Sequence, residues 1–213
     1  MNITILNNFS SEIVEKKSRF IANVFHVETK EEAEEKIKEI KKKYYDARHN
    51  CTAYRLLDGN LTMEKSSDDG EPSGTAGSPM LSILQKNNLV NVLVVVTRYF
   101  GGILLGTGGL VRAYSDAAKK AIELAEKYEI CIGTKYEVKI SYNETENLKY
   151  YCRKNNINIL NIEYLQDAIC ILEIENDFKN RFLDDIEKRT LNVLKYKELG
   201  EKYISKKIED NKK

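Results

Sequence analysis

Three carboxylates, Asp68, Asp69 and Glu71, stand within four residues in the stretch Lys65-Ser-Ser-Asp-Asp-Gly-Glu-Pro-Ser-Gly-Thr-Ala-Gly-Ser-Pro-Met80. Oxygen ligands so close together suit a magnesium ion, and paired carboxylates suit acid–base chemistry. The same side chains also suit turn formation through their own backbone, or ion pairs with Arg98 or Arg112. Upstream, His49 and Cys51 sit two apart on a predicted strand, hence on one face, as a base and a thiol nucleophile would. No third group that could orient them is visible, and a buried cysteine is ordinarily inert.

A second cluster follows. Gly101, Gly102, Gly106, Gly108 and Gly109 crowd the segment after Val90-Asn-Val-Leu-Val-Val-Val-Thr-Arg-Tyr99, and Thr107 lies among them. Glycines at this density cost backbone entropy, so the turn needs positive φ or close approach to another backbone or a ligand. A helix leaving such a turn presents unpaired N–H groups that suit anions. From Ser73 to Ser115 the only charged residues are Lys86, Arg98 and Arg112, with no Asp or Glu. Arg98, Arg112 and Lys65 are therefore candidate phosphate contacts, with Tyr99 as a base-stacking ring. Known phosphate loops do not fit. Gly101 to Thr107 lacks the lysine of a Walker A loop, and no Gly-x-Gly-x-x-Gly follows the strand.

These residues need elements to hold them. The β-branched run to Arg98 predicts a strand buried on both faces, and a helix begins near Thr107 or Gly108 and reaches about Lys127. Strands are predicted over Ser11–Glu15, Ser18–Val27 and Asn50–Leu57. Thr29 is expected to cap a helix with Glu32 completing a capping box, Ala33, Ile37, Ile40 and Tyr44 facing inward, and Glu32–Lys36 and Glu34–Lys38 pairs outside. Lys65 to Met80 reads as one long irregular loop ahead of a short helix, Pro79–Gln85. The pattern resets at Tyr128–Gly133, which sets a domain boundary: residues 1–130, 134–204 and a tail over 205–213. The second part reads strand 135–142, helix 144–155, strand 157–165, strand 168–175, helix 178–189, strand 192–199. That βαββαβ order is ferredoxin-like, with Asn143 and Asn176 as caps and Leu148, Tyr151 and Cys152 in the core.

Composition narrows the class. Of 213 residues, 42% are hydrophobic and 31% charged, enough for two small cores under a polar surface. The net charge of +1 makes any basic patch local. The start carries no basic and apolar leader pattern, and no run reaches the roughly 18 apolar residues of a membrane span. Cys51, Cys131, Cys152 and Cys170 are scattered without a Cys-x-x-Cys pair, as expected of free thiols in a reducing cytosol. With His26 and His49 the only histidines, no zinc site is expected.

Three segments together resemble the YigZ/IMPACT family: Ala47-Arg-His-Asn-Cys-Thr-Ala-Tyr54, Ser67-Asp-Asp-Gly-Glu-Pro-Ser-Gly-Thr-Ala-Gly77 and Val96-Thr-Arg-Tyr-Phe-Gly-Gly-Ile-Leu-Leu-Gly-Thr-Gly-Gly-Leu110. The matching positions include His49, Cys51, Asp68, Asp69, Gly70, Glu71, Pro72, Gly74, Thr75 and Gly77. They continue through Arg98, Tyr99, Phe100, Gly101, Gly102, Gly106, Thr107, Gly108 and Gly109. The resemblance implies an α+β chain: an N-terminal domain like ribosomal protein S5 domain 2, then a ferredoxin-like domain, the pair similar to domains IV and V of elongation factor G. It also implies kinship with eukaryotic translational regulators of amino-acid starvation signalling, whose extra N-terminal interaction domain is not expected here.

The reading these residues support is a cytoplasmic, monomeric, translation-associated regulator. It would bind RNA or the ribosome, or a translation factor, through the cationic glycine-rich turn, without cofactor, metal or membrane. The alternative is an enzyme on a small phosphorylated substrate with Asp68, Asp69 or Glu71 as acid, base or metal ligand, although no nucleophile–base–orienter set is visible. A third reading is a protein-binding regulator that uses the ferredoxin-like sheet.

Overall fold

The computed structural model describes residues 2–59 and 61–208. In chain order it contains β1 (Asn2–Ile5), β2 (Phe9–Glu15), β3 (Ser18–His26), α1 (Lys30–Lys43), β4 (His49–Asp58), β5 (Leu61–Ser67), α2 (Gly77–Lys86), β6 (Val92–Tyr99) and α3 (Gly106–Glu123). Then come β7 (Lys127–Ile140), a 3₁₀ turn (Tyr142–Glu144), α4 (Thr145–Lys154), β8 (Asn158–Tyr164), β9 (Ala168–Glu175), α5 (Asn176–Glu187) and β10 (Lys195–Lys207). The chain forms two compact units. One runs to Glu129 and takes Lys207 back, and the other is Ile130–Lys206. Among the described residues no helix is long and apolar enough to cross a membrane.

In the first unit the sheet order is β2-β3-β6-β4-β5, with every neighbouring pair antiparallel. β6 sits in the middle, and helices cover both of its faces. Val92, Val94 and Val96 pack with Phe20, Ala53, Met80, Leu84 and Tyr114 under α2 and α3. Leu93 and Val95 point the other way, to Ala33, Ile40, Tyr54 and Leu56 beneath α1. A strand with two cores needs no polar alternation, which explains its uninterrupted apolar run; each fully buried Val or Leu contributes about 1.5–3 kcal/mol over exposure. Lys16 and Lys17 both take positive φ in the tight β2–β3 turn.

Several expectations need correction. β5 takes Lys65–Ser67, so the irregular segment shrinks to 68–76. The strand hid because it is a sheet edge exposed along its whole length. Thr29 does accept the Glu32 N–H at 3.1 Å, but the Glu32 carboxylate turns to the N–H of Glu28, at 2.7 Å, rather than to Thr29. On α1 the ion pairs are Lys30–Glu34 and Lys36–Glu39, not Glu32–Lys36 and Glu34–Lys38.

The two units part between Glu129 and Ile130, within the Tyr128–Gly133 stretch, but the chain there is regular and forms the first half of β7. In the second unit β7 lies between β9 and β10, and β8 lies beyond β9. Tyr136, Val138, Ile140, Leu148, Cys152, Leu172, Ile174 and Phe182 fill its core. Neither predicted cap is one. Asn143 lies in the 3₁₀ turn, with Glu144 at the α4 cap position, and Asn176 is the first residue of α5, where it accepts from Thr134 Oγ1 and donates to Glu201. The expected tail is half wrong: residues 205–207 belong to β10, and residues 209–213 lie outside the described residues.

Candidate functional site

The segment 68–76 is tied down by its carboxylates. Asp68 accepts the backbone N–H groups of Gly74 (2.8 Å), Ala76 (3.0 Å) and Gly77 (2.8 Å), so it serves the otherwise uncapped start of α2. Burial opposes its ionisation, but the three N–H groups prevail and hold the carboxyl below the usual carboxylate range. Asp69, at φ +43°, accepts from the Asn50 N–H at 2.7 Å and from Lys41 at 2.6 Å. Gly70 takes φ +87° beneath the His49 ring. Thr75 bonds back to the Pro72 carbonyl, and at Gly77 an added Cβ would lie 2.7 Å from the Ser67 N.

His49 and Cys51 serve the same segment. His49 Nδ1 donates to the Asp69 carbonyl at 2.9 Å, and the Cys51 thiol to the Asp68 carbonyl at 2.9 Å. Burial pushes that thiol up to about 12, so it stays protonated at neutral pH and is no nucleophile. All three carboxylates of the cluster face protein donors, and among the described residues no group of His, Cys, Asp and Glu is arranged to hold a metal.

Arg98 is not at the surface. Its side chain is 8% exposed and Nη1 donates to Glu71 Oε1 at 2.7 Å; the Glu71 side chain is 3% exposed. The Tyr114 hydroxyl donates to the same oxygen at 2.8 Å. The guanidinium lies 5.5 Å from the ring centres of both Phe20 and Phe100. The partner is thus Glu71, neither Asp68 nor Asp69, and a cation already engaged in this way is unsuited to a phosphate. Tyr99 is also held: its hydroxyl donates to Asp46 at 2.6 Å and Arg19 lies over its ring. Lys65 stands on the edge strand β5, 3.7 Å from Glu34.

What does reach the surface is the start of α3. Leu105 occupies the cap position without a side-chain bond, and Gly106, Thr107 and Gly108 are exposed. Gly102 and Gly106 take φ +84° and +69°. Gly101 is a close-approach glycine: its N–H donates to Ser18 Oγ, and a Cβ there would fall on the Lys17 carbonyl. Arg112 is exposed and makes no ion pair among the described residues; it shares a cleft with Lys16, Gly109, Glu15 and Asp116. Phe100, Ile103 and Leu104 stand out from the turn, with Leu104 82% exposed. Gly101 to Gly109 and Arg112 are therefore brought together at one place, whereas Arg98 and Tyr99 are held by partners and Lys65 stands apart on β5.

Sequence reasoning passed over a third group, in the second unit: the stacked rings of Tyr142 and Tyr164 beside Lys149 and Arg153. The available signal was a tyrosine-rich, lysine-rich segment with no apolar periodicity to absorb those rings.

Comparison with known proteins places the molecule. The Impact N-terminal domain model matches residues 16–122, and a domain of unknown function, DUF1949, matches 138–190. The IMPACT family member YvyE of Bacillus subtilis is 52% identical over 52% of this chain, a match that spans about half (51%) of that relative. An IMPACT family member of Haemophilus influenzae is 37% identical over 91% of this chain and 94% of its own length. A solved structure described as a hypothetical protein covers 98% of this chain and 97% of its own, with 26% identity and a TM-score of 0.58. With two-domain matches of this extent, the chain belongs to the IMPACT family.

Proposed function

We propose that the protein is a translation-associated regulator that binds RNA or the ribosome at the start of α3. One observation carries this: exposed, uncapped N–H groups at Gly106–Gly108, in a sequence stretch (73–115) without Asp or Glu, with Arg112, which makes no ion pair among the described residues, on the same helix. The sequence resemblance to translational regulators supports the biological setting. The finer fold assignment belongs to the same reading. The βαββαβ order with strand order β10-β7-β9-β8 supports a ferredoxin-like second domain, and the five-stranded sheet under α2 and α3 is consistent with an S5 domain 2-like first domain. Domains at 1–130 and 134–204, a monomeric state and a cytoplasmic site of action complete it, the last supported by buried cysteines at 51, 152 and 170 that form no disulfide among the described residues.

The test is co-sedimentation with ribosomes across a salt series. Arg112→Ala with Lys16→Ala weakens binding and flattens its salt dependence, whereas Arg98→Ala is a stability variant and uninformative. Unchanged co-sedimentation of the double variant discards the assignment. No observation favours the enzyme reading, because Asp68, Asp69 and Glu71 are each taken up by structural bonds.

A further inference from the structure

We propose that the second unit carries its own contact for single-stranded RNA, in the groove between α4 and the edge strand β8. This rests on the reading that the protein binds RNA, and assigns it a second, separate surface. The groove is about 440 Å³, within the range of small-ligand clefts. Its floor is Ile159, Leu160, Asn161 and Ile162 of β8, and Lys149 and Arg153, one turn apart on α4, form its wall. β8 pairs with β9 alone among the described strands, and the register shifts between Ile159 and Asn161.

Beside the groove stand two rings that no core requires. Tyr142 and Tyr164 are stacked with centres 5.9 Å apart and planes 9° from parallel, yet they are 47% and 53% exposed. The Tyr142 hydroxyl donates to the Leu165 carbonyl, which fixes the pair at the end of β8. Lys149 lies within reach of the Tyr164 phenol, so the rings and the cationic wall are continuous. The nearby acids are Glu146, which pairs with Lys149 at 2.8 Å, and Glu163, on β8. Arg153 makes no ion pair, and the Asn161 amide makes no side-chain hydrogen bond, among the described residues.

An exposed aromatic face beside paired cations is how proteins hold an unpaired strand: bases stack on rings while Lys and Arg follow the phosphates. Asn161 adds a donor and an acceptor for a base edge. An acidic peptide would use the same cations but leave the parallel rings idle. The geometry thus points to a base on Tyr164, with the adjoining phosphates on Lys149 and Arg153.

The experiment measures fluorescence anisotropy of a labelled ten-nucleotide oligouridylate with the full chain, at several salt concentrations. Tyr164→Leu is expected to weaken binding about tenfold and Tyr164→Trp to retain it. Lys149→Ala with Arg153→Ala lowers the salt slope by about 1.4, at roughly 0.7 for each phosphate left without its cation. If these variants bind as the wild type does and Gly108→Asp in α3 does not, the second surface is overturned and the first stands. If they lose binding while Gly108→Asp retains it, the second surface stands and the first falls. A wild type that binds neither the oligonucleotide nor ribosomes overturns both.

Discussion

Asp68 closes its segment only when ionised, since three N–H groups converge on it. The sign follows from its lowered pKa. The stabilisation is complete above the unfolded carboxyl value, about 3.9, and is lost as pH falls toward the lower folded value. Asp68→Ala is therefore expected to cost roughly 1–2 kcal/mol at neutral pH, with the gap to wild type closing as pH falls below about 4; denaturant melts at several pH values check this. Arg98→Met leaves the Glu71 carboxylate buried with only Tyr114 for company, at a cost of about 3–5 kcal/mol. Adding Glu71→Gln to that variant restores most of the stability, as a double-mutant cycle will read. None of these partnerships was legible in sequence. The residues that matter were visible as a cluster, but Glu71 meets Tyr114 across 43 positions and Arg98 across 27, and spacing along the chain carries no information about which carboxylate a buried guanidinium will find.

Among elements, the legible ones had a strong local signal. β6 was announced by its β-branched run and α1 by Thr29 and Glu32, and α3 carries a helical stripe of Leu110, Tyr114, Ala117 and Ala121, all buried. Those missed lacked one: β5 is exposed from end to end, and the opening of β7 is half-buried throughout, without alternation. The turn before α3 shows the difference between two kinds of glycine. Gly101→Ala drives a methyl into the Lys17 carbonyl, and a loss of about 1–3 kcal/mol is expected on thermal unfolding. At Gly108 an added Cβ meets open space, so Gly108→Asp stabilises α3 by about 0.5–1 kcal/mol, through propensity and its place in the first turn. The same carboxylate occupies the amides offered to an anion. A rise in melting temperature together with weaker ribosome binding is the signature of that site, and a rise without loss of binding contradicts it.

For the whole molecule, the thiols report on both units at once. Cys51, Cys152 and Cys170 are buried, and burial pushes Cys51 and Cys152 up to about 12 each. Native protein at pH 8 is expected to be alkylated first at Cys131, the half-buried one, with the other three protected until unfolding; intact-mass counting of adducts against time reads this directly. Chain order also shapes how the two units come into being. Every strand of the β2-β3-β6-β4-β5 sheet has been synthesised once Tyr99 is made, and α3 follows at once, so the first core can condense while the rest is still being translated. β7 is less fortunate. One of its neighbours is β10, the last strand to be made, so a nascent second unit must wait with β7 open on that flank, and that interval is when a chaperone or a stray strand has its opening.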